Sequence, residues 1–312
     1  MTDPSLDIMI VNWNAGVQLR ECLSSIQSTR KSGVDLRRVV VIDNGSMDGS
    51  ADNMDEHNLP VRIIKNEKNL GFATACNQAA KSTTADYLLF LNPDTRLFSD
   101  SLITPILYLE RRENSQVGIL GIQLVDNKGI VGRTCVRFPD LRVFLATLFG
   151  LHRLFPKRFP GLFMTEWDHL ETQEVDQVMG AFFLVRRHLF QCLGGFDERF
   201  FVYYEDLDFA LRARRAGWKS IFFAEAKCFH RGGGVSQQAK VQRLFYILQS
   251  RILYVVKHFQ TSTAIMIIFM TLFSEPLFRL TWSVMRCRFS ELIELFSAYM
   301  LLVNWLRKYP EP

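Results

Sequence analysis

At 312 residues, 48% hydrophobic and 22% charged, the chain can bury one large core or two smaller ones, and it is too apolar to be a disordered protein. Its formal charge of +5 comes from the end of the chain: residues 237–312 hold nine Lys and Arg against four Asp and Glu, whereas residues 1–236 hold 28 of each. A basic, apolar tail containing Trp282 and Trp305, with no nucleic-acid motif beside it, points to an anionic membrane surface and away from DNA or RNA. The six cysteines are scattered without a Cys-x-x-Cys pair, which argues against a zinc ribbon, a redox motif or a disulfide framework and favours a reducing, cytosolic setting. No basic region precedes an apolar segment near Met1, so no secretory signal is expected.

Ile8-Met9-Ile10-Val11 reads as a buried strand, followed by a helical pattern with Val17, Cys22, Leu23 and Ile26 on one side. Val39-Val40-Val41-Ile42, Val61-Arg62-Ile63-Ile64 and Tyr87-Leu88-Leu89-Phe90-Leu91 are further strands with helical stretches between them. This alternation predicts an α/β fold built on a mostly parallel sheet covered on both faces. Ligands in such sheets bind beyond the carboxyl ends of the strands. Polar clusters follow all four strands there: residues 12–14, 43–50, 66–72 and 92–94. One such cluster is ordinary turn chemistry; four on one rim suggest a site.

A helix is expected near residues 101–110, a strand at 117–122, and a hairpin turn at Asp126-Asn127-Lys128-Gly129. Residues 133–172 are poorly patterned and rich in Phe, Leu, Arg and Pro, as an acceptor-side loop or a lid would be. Residues 178–185 read as a buried strand and 221–224 as a short one, which leads to Cys228-Phe229-His230-Arg231 and a run of glycines. A helix is expected over 237–257. Residues 259–274 are then sixteen without a charge, short for a membrane crossing, which needs about 20. Helices lying in the membrane interface are favoured, with Trp282 and Trp305 at headgroup depth and Arg279, Arg286 and Arg288 facing lipid phosphates. A helical pair packed on the rest of the protein would have a similar sequence.

Between these segments, Glu205, Asp206 and Asp208 fall just after the aromatic run 200–204 and just before an apparent helix, residues 209–214. Three carboxylates where a loop enters a helix suit a catalytic base. They equally suit an ordinary helix start, since acidic residues favour the first turn.

The motifs Val11-Asn12-Trp13-Asn14, residues 41–50, Asn69-Leu70-Gly71-Phe72-Ala73 to Asn77, Leu91-Asn92-Pro93-Asp94-Thr95, Gly194-Gly195-Phe196-Asp197-Glu198, Tyr204-Glu205-Asp206-Leu207-Asp208 and His230 occur in that order. Together they resemble the inverting glycosyltransferases of family 2, which have the GT-A fold, and in particular the rhamnosyltransferase-like branch. The resemblance covers about residues 6–236. It implies a GT-A domain over 1–236, with a nucleotide-sugar half over about 1–125 and an acceptor half over about 126–236. Residues 237–312 would then form a helical, membrane-associating extension.

What the resemblance implies residue by residue is specific. Asp94 and His230 are expected to hold Mn²⁺ or Mg²⁺, with Asn92 where the family's first metal-site aspartate stands. Asp43 is expected to read the base, Trp13 to lie against it, and Val11, Asn14, Asn44, Ser46, Asn69, Gly71 and Asn77 to shape the nucleotide-sugar site. Asp206 is the expected base and Glu205 the next candidate, with Gly195, Phe196, Tyr204 and Asp208 on the acceptor side, where Gly195 would permit the sharp turn and Asp208 would hold the loop or a neighbouring Arg. Without the resemblance, Asp43 reads as a helix cap and His230 as a structural histidine. The implied partners are a nucleotide-sugar donor, such as dTDP-rhamnose or a UDP-sugar, and a lipid-linked saccharide acceptor at the cytosolic membrane face, in polysaccharide or lipopolysaccharide assembly. The competing expectations are a sugar-phosphate nucleotidyltransferase, disfavoured because residues 12–16 supply no glycine-rich basic phosphate loop, and an inactive membrane-attached binding protein.

Overall fold

The apolar runs read as strands are strands. In the computed structural model, which describes residues 3–30, 32–52, 59–232 and 239–308, β1 (Ser5–Asn12), β2 (Asp35–Asp43), β3 (Val61–Lys65) and β4 (Tyr87–Leu91) form a parallel block in the order β3-β2-β1-β4. Helices α1 (Val17–Gln27) and α2 (Phe72–Ala80) connect them. Leu6, Ile8 and Ile10 of β1 enter one core and Met9 and Val11 the other, because successive side chains of a strand point to opposite faces. Tyr87, Leu89 and Leu91 divide from Leu88 and Phe90 in the same way, and burial on both faces makes these strands continuous apolar runs.

Beyond β4 the sheet becomes mixed. The remaining elements of this part are β5 (Thr95–Leu97), α3 (Ile103–Glu110), β6 (Val117–Val125), β7 (Gln173–Val175), β8 (Phe182–Arg186), α6 (Arg187–Cys192), α7 (Glu205–Arg215) and β9 (Lys219–His230), with α4 (Leu141–Leu148) and α5 (Leu151–Leu154) between β6 and β7. The strand order is β3-β2-β1-β4-β8-β6-β9-β5, and β7 pairs with β9. β8 runs antiparallel to β4 and β6, β9 parallel to β6, and β5 antiparallel to the end of β9.

Several expectations are corrected here. The strand expected from Val178 begins at Phe182, because Gly180 and its neighbours form a turn. The short strand expected at 221–224 is part of a twelve-residue strand that continues to His230. The hairpin expected at 126–129 is present, closed by one bridge, Val125 to Val131, whereas the poorly patterned residues 133–172 contain α4 and α5. Most consequential, the helix read from residue 209 starts at Glu205. Tyr203 and Tyr204 adopt φ of 67° and 68°, which stops any helix before them, and the three acids then occupy its first turn. Gly233, Gly234 and Gln237, read as a glycine turn and a helix start, lie outside the described residues.

The described residues divide into two compact units. One comprises those of 1–138, 163–198 and 205–235, and the other those of 139–162, 199–204 and 236–312. In the second unit α8 (Lys240–His258) packs on the final helix α11 (Phe289–Lys308) through Leu248, Ile252 and Leu302. It also packs on α9 (Thr261–Phe269) through Val255, Ala264 and Ile267. A π-helical segment, Met270–Ser274, joins α9 to α10 (Glu275–Met285).

Candidate active site

The carboxyl ends of β1 and β2 lie side by side, Asn12 opposite Asp43 in the parallel register. Asn12 is fully buried, and its amide nitrogen donates to Asp43 Oδ1 at 3.1 Å, Ser46 Oγ at 3.1 Å and Ser50 Oγ at 2.8 Å. Ser46 Oγ also accepts from the Asn14 main-chain N–H at 2.9 Å, and Asn14 Oδ1 accepts from Met47 N–H at 2.8 Å. These bonds tie the loops after β1 and β2 together and leave Asp43 as a carboxylate only 7% exposed, with one oxygen already oriented. Trp13, the residue after Asn12, is 38% exposed. Val11 contributes the last inward-facing residue of β1.

The neighbouring loop is built in the same manner. Asn44 donates to Asn69 Oδ1 at 2.9 Å and to Gly71 O at 3.2 Å, while its own oxygen accepts from Asn66 and from Leu70 N–H, each at 3.1 Å. Asn69 also accepts from Gly71 N–H at 2.9 Å. Gly45 is required here: its φ is 77°, and a Cβ would stand 2.7 Å from the Lys68 carbonyl carbon. Asn44, Ser46 and Asn69 therefore shape the rim through their amide and hydroxyl bonds to other rim residues. Asn77 sits further off. Its amide donates to Phe196 O at 2.8 Å and Glu198 Oε1 at 3.0 Å and accepts from Phe196 N–H at 2.9 Å, so it fastens α2 to the 195–198 turn rather than lining the nucleotide loop.

Asp94 and His230 are brought together by β5 and β9. Thr95 pairs with His230, the Arg231 N–H donates to Asp94 O, and His230 Nε2 lies 3.4 Å from Asp94 Oδ1. A register shift between β6 and β9 after Ile122 and Phe223 bends β9 back toward β5 and so aims His230. Among the described residues no group of three or more His, Cys, Asp and Glu could hold a metal ion. An oxygen and an imidazole nitrogen still fit a cation that takes its remaining ligands from water and substrate phosphate, as Mg²⁺ does, and Mn²⁺ accepts the nitrogen well. Asn92, half-buried, uses its backbone here: its N–H donates to Ala181 O at 3.0 Å and its carbonyl accepts from Thr95 Oγ1 at 2.7 Å.

Asp206 opens α7. Its Oδ2 accepts from Gln177 Nε2 at 2.7 Å and from the Gly180 N–H at 3.1 Å, and its Oδ1 from the Leu207 N–H at 2.8 Å. Gly180 thus holds Asp206 while the next residue, Ala181, holds Asn92, so two consecutive residues join the carboxylate of α7 to the loop that carries Asp94. Burial pushes the Asp206 carboxyl up to about 6, against the three hydrogen bonds that favour its ionised form. Glu205 is buried more deeply. Burial, with the adjacent Asp206, pushes its carboxyl well above the usual range, and its Oε2 has no hydrogen-bond partner.

The other residues expected on the acceptor side are placed in different ways. Phe196, expected on the acceptor side, is a core residue, 3% exposed, in an aromatic cluster with Phe90, Phe183, Phe190 and Phe209. Asp208 is fully buried and accepts from Arg212 Nε at 2.8 Å; Arg212 in turn donates to Leu193 O and Gly195 O. Gly195, at φ 77°, allows this turn, and a Cβ there would meet Asn77 Oδ1 at 2.5 Å. Asp208 and Gly195 are thus part of the turn's framework. Tyr204 belongs to the second unit, where its hydroxyl bonds Arg251 and its ring lies 5.5 Å from Tyr254. Asn12 and Asn66 lie in the rim clusters without an individual role assigned to them, and Gln177 and Arg212 escaped the sequence reading. The first two were legible as amides at strand ends, whereas Gln177 and Arg212 act through contacts with residues 29 and 17 to 19 positions away.

Comparison with known proteins adds the family. The Glycosyl transferase family 2 model matches residues 7–194. An N-acetylglucosaminyl-diphospho-decaprenol L-rhamnosyltransferase of Mycobacterium tuberculosis is 30% identical over 246 residues, 74% of this chain and 76% of its own. Rhamnosyltransferase WbbL of Escherichia coli is 34% identical over 134 residues, 42% of this chain and 47% of its own. Among solved structures, the mannosyltransferase PcManGT from Pyrobaculum calidifontis, in complex with GDP-Man and Mn²⁺, superposes with a TM-score of 0.54 at 16% identity, covering 100% of this chain and 78% of its own. Staphylococcus aureus TarS 1-349 with UDP-GlcNAc gives 0.54 at 14% identity, covering 94% and 79%. The mixed sheet flanked by helices is thus the fold of these glycosyltransferases.

Proposed function

Because the chain belongs to glycosyl transferase family 2, and so is a glycosyltransferase of rhamnosyltransferase-like kind, we propose that it moves a sugar from a nucleoside diphosphate donor, with inversion, onto a saccharide carried by a lipid. The observation that carries this reading is the pair Gly180 and Ala181, which binds Asp206 to the loop of Asp94. A base and a diphosphate site at one edge of the sheet are what a single displacement requires. In the proposed reaction Asp43 accepts a hydrogen bond from the base imide, and Trp13 lies against the ring. Asp206 takes the acceptor hydroxyl proton as that oxygen bonds the anomeric carbon and the diphosphate departs. Asp94 and His230 would hold a divalent cation, Mn²⁺ or Mg²⁺, whose chemistry there is Lewis-acid neutralisation of the leaving diphosphate. Glu205 is more deeply buried and its Oε2 has no hydrogen-bond partner, which favours Asp206 as the base of the two.

The names of the relatives support dTDP-rhamnose as the first donor to test and a diphospho-polyprenol-linked N-acetylglucosamine as the first acceptor. The test is product formation from this pair with Mn²⁺, beside UDP- and GDP-sugars. Donor-dependent extension of the lipid-linked acceptor supports the proposal, and failure of every donor on every lipid-linked saccharide opposes it. A sugar-phosphate nucleotidyltransferase is set aside by the family. An inactive binding protein is disfavoured because Asp94, His230 and Asp206 all have the partners described.

We infer further that the second unit attaches the enzyme to the cytosolic face of the membrane and lies in the interface. Met266, Phe269, Phe273, Leu277, Leu280 and Val284 form one exposed stripe along residues 261–285, and Ile293, Phe296, Met300 and Val303 another along α11. The basic excess of this region matches anionic headgroups, with Arg286 stacked 4.3 Å over Trp282. The helix Thr261–Met285, 25 residues containing an 18-residue window of mean hydropathy 1.5, is long and apolar enough to cross a bilayer. Its middle, however, holds Glu275, bonded by Arg279 at 2.8 Å and by Arg251 of α8, and a charge at bilayer depth costs about 2.5–3.5 kcal/mol or more. Arg279, expected at the headgroups, is thus engaged by Glu275, and Trp305 packs with Leu248 and Leu302. Flotation with phosphatidylglycerol vesicles should carry the protein upward. The double substitution Phe269→Glu and Phe273→Glu should lower the bound fraction about tenfold or more. Equal flotation of both proteins would refute the docking stripe.

A further inference from the structure

We propose that Gln177 is the positioning residue of the catalytic carboxylate, orienting Asp206 and setting the pH at which it accepts a proton; this rests on Asp206 being the base. Of the three donors to Asp206, two are main-chain N–H groups fixed by the fold, and the third, at 2.7 Å, is the Gln177 side chain. Gln177 is 3% exposed and held by a two-way backbone bridge with Val136, 3.1 Å in each direction. The residue before Val136 is held in turn: Cys135 N–H donates to the ring of buried His169 at 3.2 Å. The backbone behind Gln177 is therefore fixed.

The amide itself has an orientation explained by Asp206. Its Oε1 is buried with no partner, a cost that a purely structural glutamine avoids by bonding at both ends. Turning the amide over would set that oxygen against the carboxylate. Only donation to Asp206 compensates, so the amide is committed to one acceptor. The other groups around Asp206 do little to favour its charge. Glu205, with the Cys76 thiol of α2 near it, is a carboxyl that burial pushes well above its usual range, and Asp208 is paired with Arg212. Gln177 is then the side chain that favours ionised Asp206 over its acid form.

The test uses the full chain and Gln177→Met, similar in length but without a donor, with Gln177→Glu as a second variant should the first fold poorly. Asp206 is titrated by carbon NMR of ¹³C-labelled aspartate, assigned by difference from Asp206→Asn, and the acid limb of kcat/KM is measured with dTDP-rhamnose and a polyprenyl-diphosphate-linked N-acetylglucosamine. Both midpoints should rise by about one pH unit in Gln177→Met and further in Gln177→Glu, where two carboxyls share a proton. Activity lost near pH 6 should return at higher pH. An unmoved NMR midpoint, with activity lowered equally at every pH, would overturn the proposal. A shifted NMR midpoint with an unmoved acid limb would uphold the hold of Gln177 on Asp206 and overturn Asp206 as the base.

Discussion

Asp206→Asn should lose transfer by about 10²–10⁴-fold in kcat while binding the nucleotide donor nearly as well as the unaltered protein. The amide retains the shape of the carboxylate, and its single oxygen, at the Oδ2 position, can still accept from Gln177 and Gly180, so the start of α7 should persist. What disappears is the group that takes the acceptor proton. Glu205 is a poor substitute: that carboxyl is buried, and burial and its neighbour push it well above the usual carboxylate range. The pH dependence has a definite sign. Burial raises the Asp206 carboxyl to about 6, so transfer should be full above that pH and fall as pH drops through it. Turnover measured alongside calorimetric titration with the nucleotide separates the two effects, and near-normal turnover would move the base elsewhere.

Asp94→Ala should abolish the dependence of donor binding on Mn²⁺. The His230 ring, 3.4 Å away, would remain as a single ligand, too little to keep a hard divalent cation. Nucleoside recognition by Asp43 and Trp13 should survive, because Asn12, Ser46 and Ser50 hold that rim without help from Asp94. The expected result is an affinity for nucleoside diphosphate that Mn²⁺ raises in the unaltered protein and leaves unchanged in the variant, with turnover lowered about 10²-fold or more. Titration with and without the metal measures this. Undiminished stimulation by Mn²⁺ would reject Asp94 as a ligand.

How much of this was legible in the sequence follows from the range over which each feature acts. The strands β1, β2 and β4 announce themselves because a parallel strand buried on both faces must be a continuous apolar run, and the Asn, Asp and Ser residues at their ends mark the rim. The start of α7 was misjudged because Tyr203 and Tyr204, bulky residues at positive φ, give no local signal that the helix starts right after them. His230 meets Asp94 only through the irregular pairing of β9, which no local pattern encodes. Phe196 looks like an exposed aromatic beside a glycine turn until the ring cluster around it is seen. Gln177 lies in a segment without periodicity, and its importance comes wholly from a bond 29 residues away.

The resemblance to a family supplied roles that neither periodicity nor composition could, and the bonding of each residue then divided them. Asp43, Asp94, His230 and Asp206 present polar atoms at the edge of the sheet where the chemistry is proposed. Asn77, Phe196 and Asp208 spend theirs, or their rings, on holding the turn and helix behind it. Residues that occur in one motif therefore serve two purposes, and only contact geometry tells them apart.

The account's central claim is a single displacement with Asp206 as base, and the anomeric configuration of the product tests it most directly. Proton NMR of the glycan formed on the lipid-linked acceptor should show the transferred sugar with the anomeric configuration opposite to that of the donor. Retention of the donor's configuration would contradict the account.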